Sequence, residues 1–240
     1  MYAIRTANLT KKYKDTVAVD QLNLQVKKGE LFSLLGVNGA GKTTTIKMLS
    51  CLIQPTSGDA FLNGNSILHA PHAVKRIIGV SPQETAVAPN LSVRENLELM
   101  CGVHGLDDPR GKAEQVAALL GLTPVMTKRA KTLSGGFQRR LSIAMALVGD
   151  PEILFLDEPT LGLDVLARSD LWDLIRSLKG KVTVILTTHY MQEAEALSDR
   201  IAIMKDGKLL LCDTTEQIKK TAQTDDFEQA FVRLVKGVSK

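Results

Sequence analysis

A chain of 240 residues with 44% apolar and 23% charged side chains is long enough for one large core, with or without a subdomain, and is too apolar for disorder. A net charge of +4 and an aromatic content of 4% exclude a strongly basic, base-stacking nucleic-acid platform. The three cysteines, Cys51, Cys101 and Cys212, are too far apart for a disulfide framework or a zinc pair, and are expected as small buried hydrophobes in a reducing compartment.

The opening residues, MYAIRTANLT, lack the apolar run of a leader, and no stretch approaches the roughly 18 apolar residues of a membrane span. A soluble, cytoplasmic chain is therefore expected. LNLQV (residues 22–26) alternates with the period of a half-buried strand, and Lys27-Lys28-Gly29 marks the turn after it. ELFSLLG is a short apolar strand running into glycine, and KTTTIKMLSCL behind it fits a helix. TSGDAFLNG and IIGVSP (residues 77–82) read as further strands.

The middle of the chain is helical. Ser92 and Glu95 form a capping box. Pro109 opens a second helix, with Gly121 where a C-cap belongs. Ser134 is expected to cap a third, which Gly149 and Pro151 stop. Strand–helix alternation then returns. EILFLDEP and VTVILTTH are buried-type strands, Leu171, Leu174, Ile175 and Leu178 space a helix that ends at Gly180, and IAIMKDGKLLL is a hairpin turning at Asp206-Gly207. The expected architecture is α/β: a mostly parallel core sheet, an antiparallel N-terminal sheet and a helical insertion at about residues 84–150. A nucleotide-binding domain over residues 1–220 and a short helical tail at 221–240 are expected.

GVNGAGKT, residues 36–43, follows a strand and opens a helix, the context a phosphate-binding P-loop requires. Gly36, Gly39 and Gly41 let the main chain curl around phosphate oxygens, with Val37, Asn38 and Ala40 contributing amides, and the helix N-terminus adds positive potential. Lys42 reaches the β- and γ-phosphates. The Thr43 hydroxyl suits Mg²⁺, with Thr44 beside it. Asp157 ends an apolar strand at the carboxyl edge of the sheet, where it suits Mg²⁺, and Glu158 next to it suits polarisation of an attacking water. The guanine-reading N-K-x-D is absent, which argues against a GTPase.

TLSGGFQRRL, residues 132–141, puts two glycines in the first turn of a helix, at about 1 kcal/mol each against alanine. Gly135 and Gly136 bare amides to which an anion could come close, with Ser134 at the cap, yet this second phosphate-type site has no lysine of its own.

With these motifs in order, nearly the whole chain resembles the ATP-binding cassette proteins of membrane transporters. The resemblance implies that Tyr13 stacks adenine, Gln83 is the Q-loop glutamine and a third ligand near Mg²⁺, and residues 133–136 are the signature. It also makes Asp157 and Glu158 the Walker B pair, puts Asp164 in the D-loop and makes His189 the switch histidine. It further implies a head-to-tail pair of cassettes, a second copy or a homologue, in which the signature of one meets the γ-phosphate held by the other. ATP then acts as interfacial glue, and hydrolysis lets the pair part. One position departs from the family pattern: Phe137 stands where glutamine is common, either as a contact at the seam between cassettes or as a tolerated swap. Arg139 and Arg140 are expected on a solvated face, or against acidic neighbours on the helical insertion.

The ending FEQAFVRLV resembles that of drug- and sodium-export cassettes, which pair with a separate integral-membrane permease at the cytoplasmic face of the membrane. The segment ETAVAPNLSVRENL is expected to face that permease. The competing readings are a repair-type nucleic-acid ATPase and a translation factor. The first needs inserted coiled-coil arms or zinc cysteines, and the second needs two P-loops; this sequence has neither.

Overall fold

The computed structural model describes residues 1–237. Strands β1 (Tyr2–Tyr13) and β2 (Thr16–Leu22) form an antiparallel hairpin that turns through Lys14 at φ 47°. Strand β3 (Gln25–Lys27) pairs with the other end of β1. The strand expected over residues 22–26 is therefore divided. Leu22 closes β2 opposite Leu9, and Asn23 steps out to hydrogen-bond Asn8, so both pieces use β1 as their partner. Leu22, Leu24 and Val26 stay buried, so the alternation survives the break. Strand β4 (Leu31–Leu35), buried at every position, leads to α1 (Lys42–Leu49). Strands β5 (Ser57–Leu62) and β6 (Asn65–Ser66) complete the N-terminal sheet in the order β2-β1-β5-β6, with β3 also on β1.

Next come α2 (Pro71–Arg76), β7 (Ile78–Ser81), α3 (Val93–His104), α4 (Pro109–Leu119) and α5 (Gly135–Leu147). Both arms of the Ser92–Glu95 capping box are made, at 3.2 and 2.7 Å. Gly121 turns out of α4 in left-handed backbone at φ 65°. The remaining elements are β8 (Ile153–Asp157), α6 (Val165–Ser177), β9 (Thr183–Thr188), α7 (Met191–Leu197), β10 (Arg200–Lys205), β11 (Lys208–Asp213), α8 (Thr215–Thr221) and α9 (Phe227–Lys236). The β10–β11 hairpin turns through Asp206 and Gly207, at φ 48° and 77°, the pair of positive φ angles that a two-residue type I′ turn demands.

The core sheet runs β11-β10-β4-β9-β8-β7, parallel throughout except for β11. Its central strands are buried on both faces, which is why they read as unbroken apolar runs. Side chains alternate between two cores. Ile153 and Phe155 point to the side of α1 and the N-terminal sheet, while Leu154 and Leu156 join residues of α3, α4, α5 and α6. Val93, Leu97, Ala113 and Leu141 thus share one continuous cluster with the sheet. A third cluster sets Phe227, Ala230 and Phe231 of α9 against Leu35, Ala194, Ile201 and Ile203. Residues 238–240 of the expected tail lie outside the described residues.

The burial expected of the cysteines needs adjusting. Cys101 is buried, but Cys51 and Cys212 are only partly so, and burial still pushes the Cys212 thiol up to about 11. No helix among the described residues is long and apolar enough to cross a membrane.

Gly79 fixes how closely α5 lies on β7, because a Cβ there would sit 2.1 Å from the Ala146 carbonyl oxygen. Gly79→Ala is expected to cost about 1–3 kcal/mol through overpacking, read as a lower urea midpoint. An unchanged midpoint would mean that α5 is free to shift.

Candidate functional site

The loop between β4 and α1 is held from both sheets. The Gly36 amide donates to the Thr188 carbonyl at 3.3 Å. A Cβ on Gly36 would lie 2.5 Å from the Met204 carbonyl oxygen, and one on Gly41 (φ 99°) would lie 2.4 Å from that of Ala18. Both glycines are thus required by close approach of neighbouring backbone. Gly39, at φ 84°, has nothing within 4 Å and supplies a left-handed turn at the exposed crest beside Val37 and Asn38. Behind the crest Ala40 is buried. Its carbonyl accepts from the Gly207 amide at 3.2 Å, and the Gly207 carbonyl accepts from the Asp20 amide of β2 at 2.8 Å.

Helix α1 begins without a side-chain cap. The first-turn amides of Lys42, Thr43 and Thr44, with the positive end of the helix dipole, therefore line a groove of about 540 Å³. Tyr13, Val17, Ala18 and Asp206 also line it, and Tyr13 is 46% exposed, with the Lys11 ammonium 5.1 Å from its ring centre. A groove of about 610 Å³ beside Met1, Tyr2 and Phe61 contains no P-loop residue.

Lys42 is buried. Its ammonium donates to the Gly36 and Val37 carbonyls at 2.8 and 3.3 Å and stands 3.4 Å from Glu158 Oε1. Asp157, at the end of β8, accepts from the Thr43 hydroxyl at 3.1 Å and from the Thr187 hydroxyl at 2.5 Å, both at Oδ1. Glu158 leaves the strand at φ 50°, a left-handed conformation that costs about 1–3 kcal/mol for a residue with a side chain. Its amide is held by Thr187 through the hydroxyl at 3.0 Å and the carbonyl at 3.2 Å. The turned backbone sets one carboxylate oxygen toward Lys42 and the other 2.5 Å from His189 Nδ1.

The sequence-derived residues fall into two groups, with Gln83 apart from both. The P-loop, Asp157, Glu158 and His189 converge, with Tyr13 at the rim. Gln83 is exposed, and its side chain makes no hydrogen bond to Thr43 or Asp157. Ser134, Gly135, Gly136 and Asp164 lie at the junction of α5 and α6. The Asp164 carboxylate caps α6 through the Ala167 amide at 2.9 Å. Ser134 occupies the N-cap position of α5, but its hydroxyl makes no cap bond, contrary to expectation. The two glycines there differ. A Cβ on Gly136 would come 3.2 Å from the Ala167 Cβ, so the packing of α5 against α6 explains it, whereas one on Gly135 meets only Leu163 at 3.8 Å.

The arginines correct the sequence reading. Arg139 is 4% exposed, because the helical period places it in line with Ser142 and Ile143 on the inward face of α5. It donates to the carbonyls of Pro82, Gln83, Asp157 and Pro159. Arg140 pairs with Asp170 of α6 at 2.9 Å and covers the half-buried Phe137 ring, its guanidinium 5.3 Å from the ring centre. Glu193, also buried, was not flagged by the sequence. Burial pushes its carboxyl up, and the Trp172 indole donates to it at 3.1 Å.

A parallel sheet with a glycine loop between strand and helix, and acids at the end of a nearby strand, defines a P-loop NTPase fold. Residues 19–161 match the family model described as ABC transporter. The chain is 40% identical over 243 residues to the probable multidrug ABC transporter ATP-binding protein YbhF of Escherichia coli (strain K12), covering 97% of this chain and 41% of that protein. It is 42% identical over 223 residues to the daunorubicin/doxorubicin resistance ATP-binding protein DrrA of Streptomyces peucetius, covering 91% of this chain and 67% of that one. A solved ATP-binding subunit of an ABC transporter superposes with a TM-score of 0.85 at 26% identity, covering 97% of this chain and 99% of that chain. A dimeric cassette in a post-hydrolysis state with ADP and Pi superposes at 0.79 and 28% identity, covering 88% and 98%. The chain belongs to the ABC transporter family, as an ATP-binding cassette. It spans less than half the length of the E. coli relative.

Proposed function

We propose that the chain binds and hydrolyses ATP to power export through a membrane permease, working at the cytoplasmic face of the membrane as one of a head-to-tail pair of cassettes. The observation that carries this reading is the Glu158 carboxylate, held between Lys42 and His189 beside the Thr43–Asp157 contact at the mouth of the P-loop. Likeness to proteins named for multidrug transport and daunorubicin resistance supports export, and likeness to a dimeric cassette supports the pair.

In this reading Tyr13 stacks the adenine. The amides of residues 36–44 and the Lys42 ammonium hold the phosphates. Glu158 takes the proton of the attacking water, and His189 orients Glu158. Ser134, Gly135, Gly136 and Asp164 complete the site of the opposite cassette. Residues 1–220 form the nucleotide-binding domain, with the helical part at about 84–150 turned toward the permease, and 221–240 form a tail.

The residues present fit Mg²⁺. The Thr43 hydroxyl and the Asp157 carboxylate are hard oxygen donors in contact, and no group of three His, Cys, Asp or Glu side chains among the described residues could hold a metal. That sparse set suits an ion that takes most of its ligands from phosphate and water. Thr43, Asp157 and Gln83 would hold it, and it would supply charge neutralisation at the phosphates.

Lys42→Ala is expected to weaken ATP binding at least about tenfold, since it removes a charge-assisted contact. Calorimetric titration checks this, and unchanged affinity would remove the P-loop assignment.

A further inference from the structure

Arg139 has no part in the roles above, yet it is the most heavily engaged buried cation at the site. It stands one turn beyond Gly135 on α5. Its donors leave the helix and end on four main-chain carbonyls, with no carboxylate among them. Nη1 reaches Pro82 at 2.5 Å and Gln83 at 3.2 Å, just past the end of β7. Nη2 reaches Asp157 at 2.6 Å and Nε reaches Pro159 at 2.8 Å, the residues on either side of Glu158. A buried cation without an acid in contact is costly, so its carbonyls must be well placed. Desolvation pulls the Arg139 guanidinium below its usual range, and the negative field of Asp157, Glu193 and Glu158 opposes that pull. Only a planar fork with five donors spans two separate segments; an ammonium presents three donors on one atom.

These contacts join two pieces of main chain to one rigid helix. The Gln83 side chain is exposed while its carbonyl is anchored. The left-handed turn at Glu158 is pinned by Thr187 on the amide side, and by Arg139 through the carbonyls before and after it. A shift of the first turn of α5 therefore reaches both residues through one side chain.

We infer that Arg139 is a positioning residue for ATP hydrolysis, fixing the main chain at Gln83 and on both sides of Glu158 to the helix that begins at Gly135. This rests on the roles proposed above for Gln83 and Glu158. A contact made at Ser134 and Gly135 would thereby set where the hydrolytic carboxylate stands.

The test uses the full chain with Arg139→Gln and Arg139→Lys, and reads ATP affinity, kcat, the half-saturating Mg²⁺ concentration and circular dichroism. Arg139→Gln is expected to lower kcat by about 10²-fold, the cost of a small misplacement of a reacting group, with ATP affinity within about twofold. Half-saturating Mg²⁺ should rise, and Arg139→Lys should fall between parent and Arg139→Gln because it keeps the charge and loses the fork. Folded variants with parental kcat and Mg²⁺ dependence would overturn the inference. Loss of secondary structure and ATP binding together in both variants would also overturn it, leaving Arg139 a residue of the fold alone. If the parent hydrolyses no ATP, or Glu158→Gln hydrolyses at the parental rate, the failure lies in the underlying roles instead.

Discussion

Glu158→Gln is expected to slow ATP hydrolysis by about 10²–10⁴-fold, the range of a general base, while ATP binding persists. The amide matches the carboxylate in shape, so the left-handed turn at φ 50° and its Thr187 anchor are kept. What is lost is the proton acceptor. The affinity should hold or improve, because Glu158 Oε1 now stands 3.4 Å from the Lys42 ammonium, and removing its charge leaves Lys42 freer for phosphate. A variant that binds but does not turn over should accumulate as a dimer with ATP. Phosphate release gives the rate and size-exclusion chromatography gives the dimer. Hydrolysis at the parental rate would move the base to another residue.

Gly135→Asp is expected to leave ATP binding by the single chain intact and to abolish hydrolysis. The substitution is sterically mild, because a Cβ at Gly135 meets only Leu163 at 3.8 Å, and the residue is not in left-handed backbone. An aspartate at the first turn also favours the helix dipole, so α5 should form at least as well. Nothing among the described residues therefore calls for glycine at this position. If a phosphate from an opposing cassette approaches these amides, the new charge repels it and the pair does not close. Nucleotide titration and turnover measured side by side separate the two effects. Turnover at the parental rate would mean that the first turn of α5 meets no phosphate.

The contrast between Gly135 and Gly136 shows where sequence reasoning reached and where it stopped. The P-loop was legible because each of its residues acts locally, through glycine torsions, a helix end and one lysine. The paired glycines at the start of α5 were legible as an oddity, yet only packing separates the one that Ala167 requires from the one that nothing among the described residues requires. Arg139 was misread because a guanidinium is ordinarily solvated. Its burial follows from carbonyls at Pro82, Gln83, Asp157 and Pro159, which the fold brings together from two distant segments. The break at Asn23 was hidden for a related reason: the alternation of residues 22–26 is preserved in burial while the pairing is not. The twist of Glu158 out of β8 leaves no trace in composition, since it depends on Thr187 from the neighbouring strand.

The Gly207 peptide bonds the P-loop through its amide and the N-terminal sheet through its carbonyl, at the tip of a hairpin belonging to the core sheet. The two sheets therefore meet across the loop proposed to hold the nucleotide. Ligand binding and folding are linked at equilibrium, so a ligand held by this loop stabilises the fold that joins the sheets. A nucleotide at about 100 times its dissociation constant would add roughly 2.7 kcal/mol to the folded state. A change at Gly207 is therefore felt by the P-loop and by the N-terminal sheet together, through one residue.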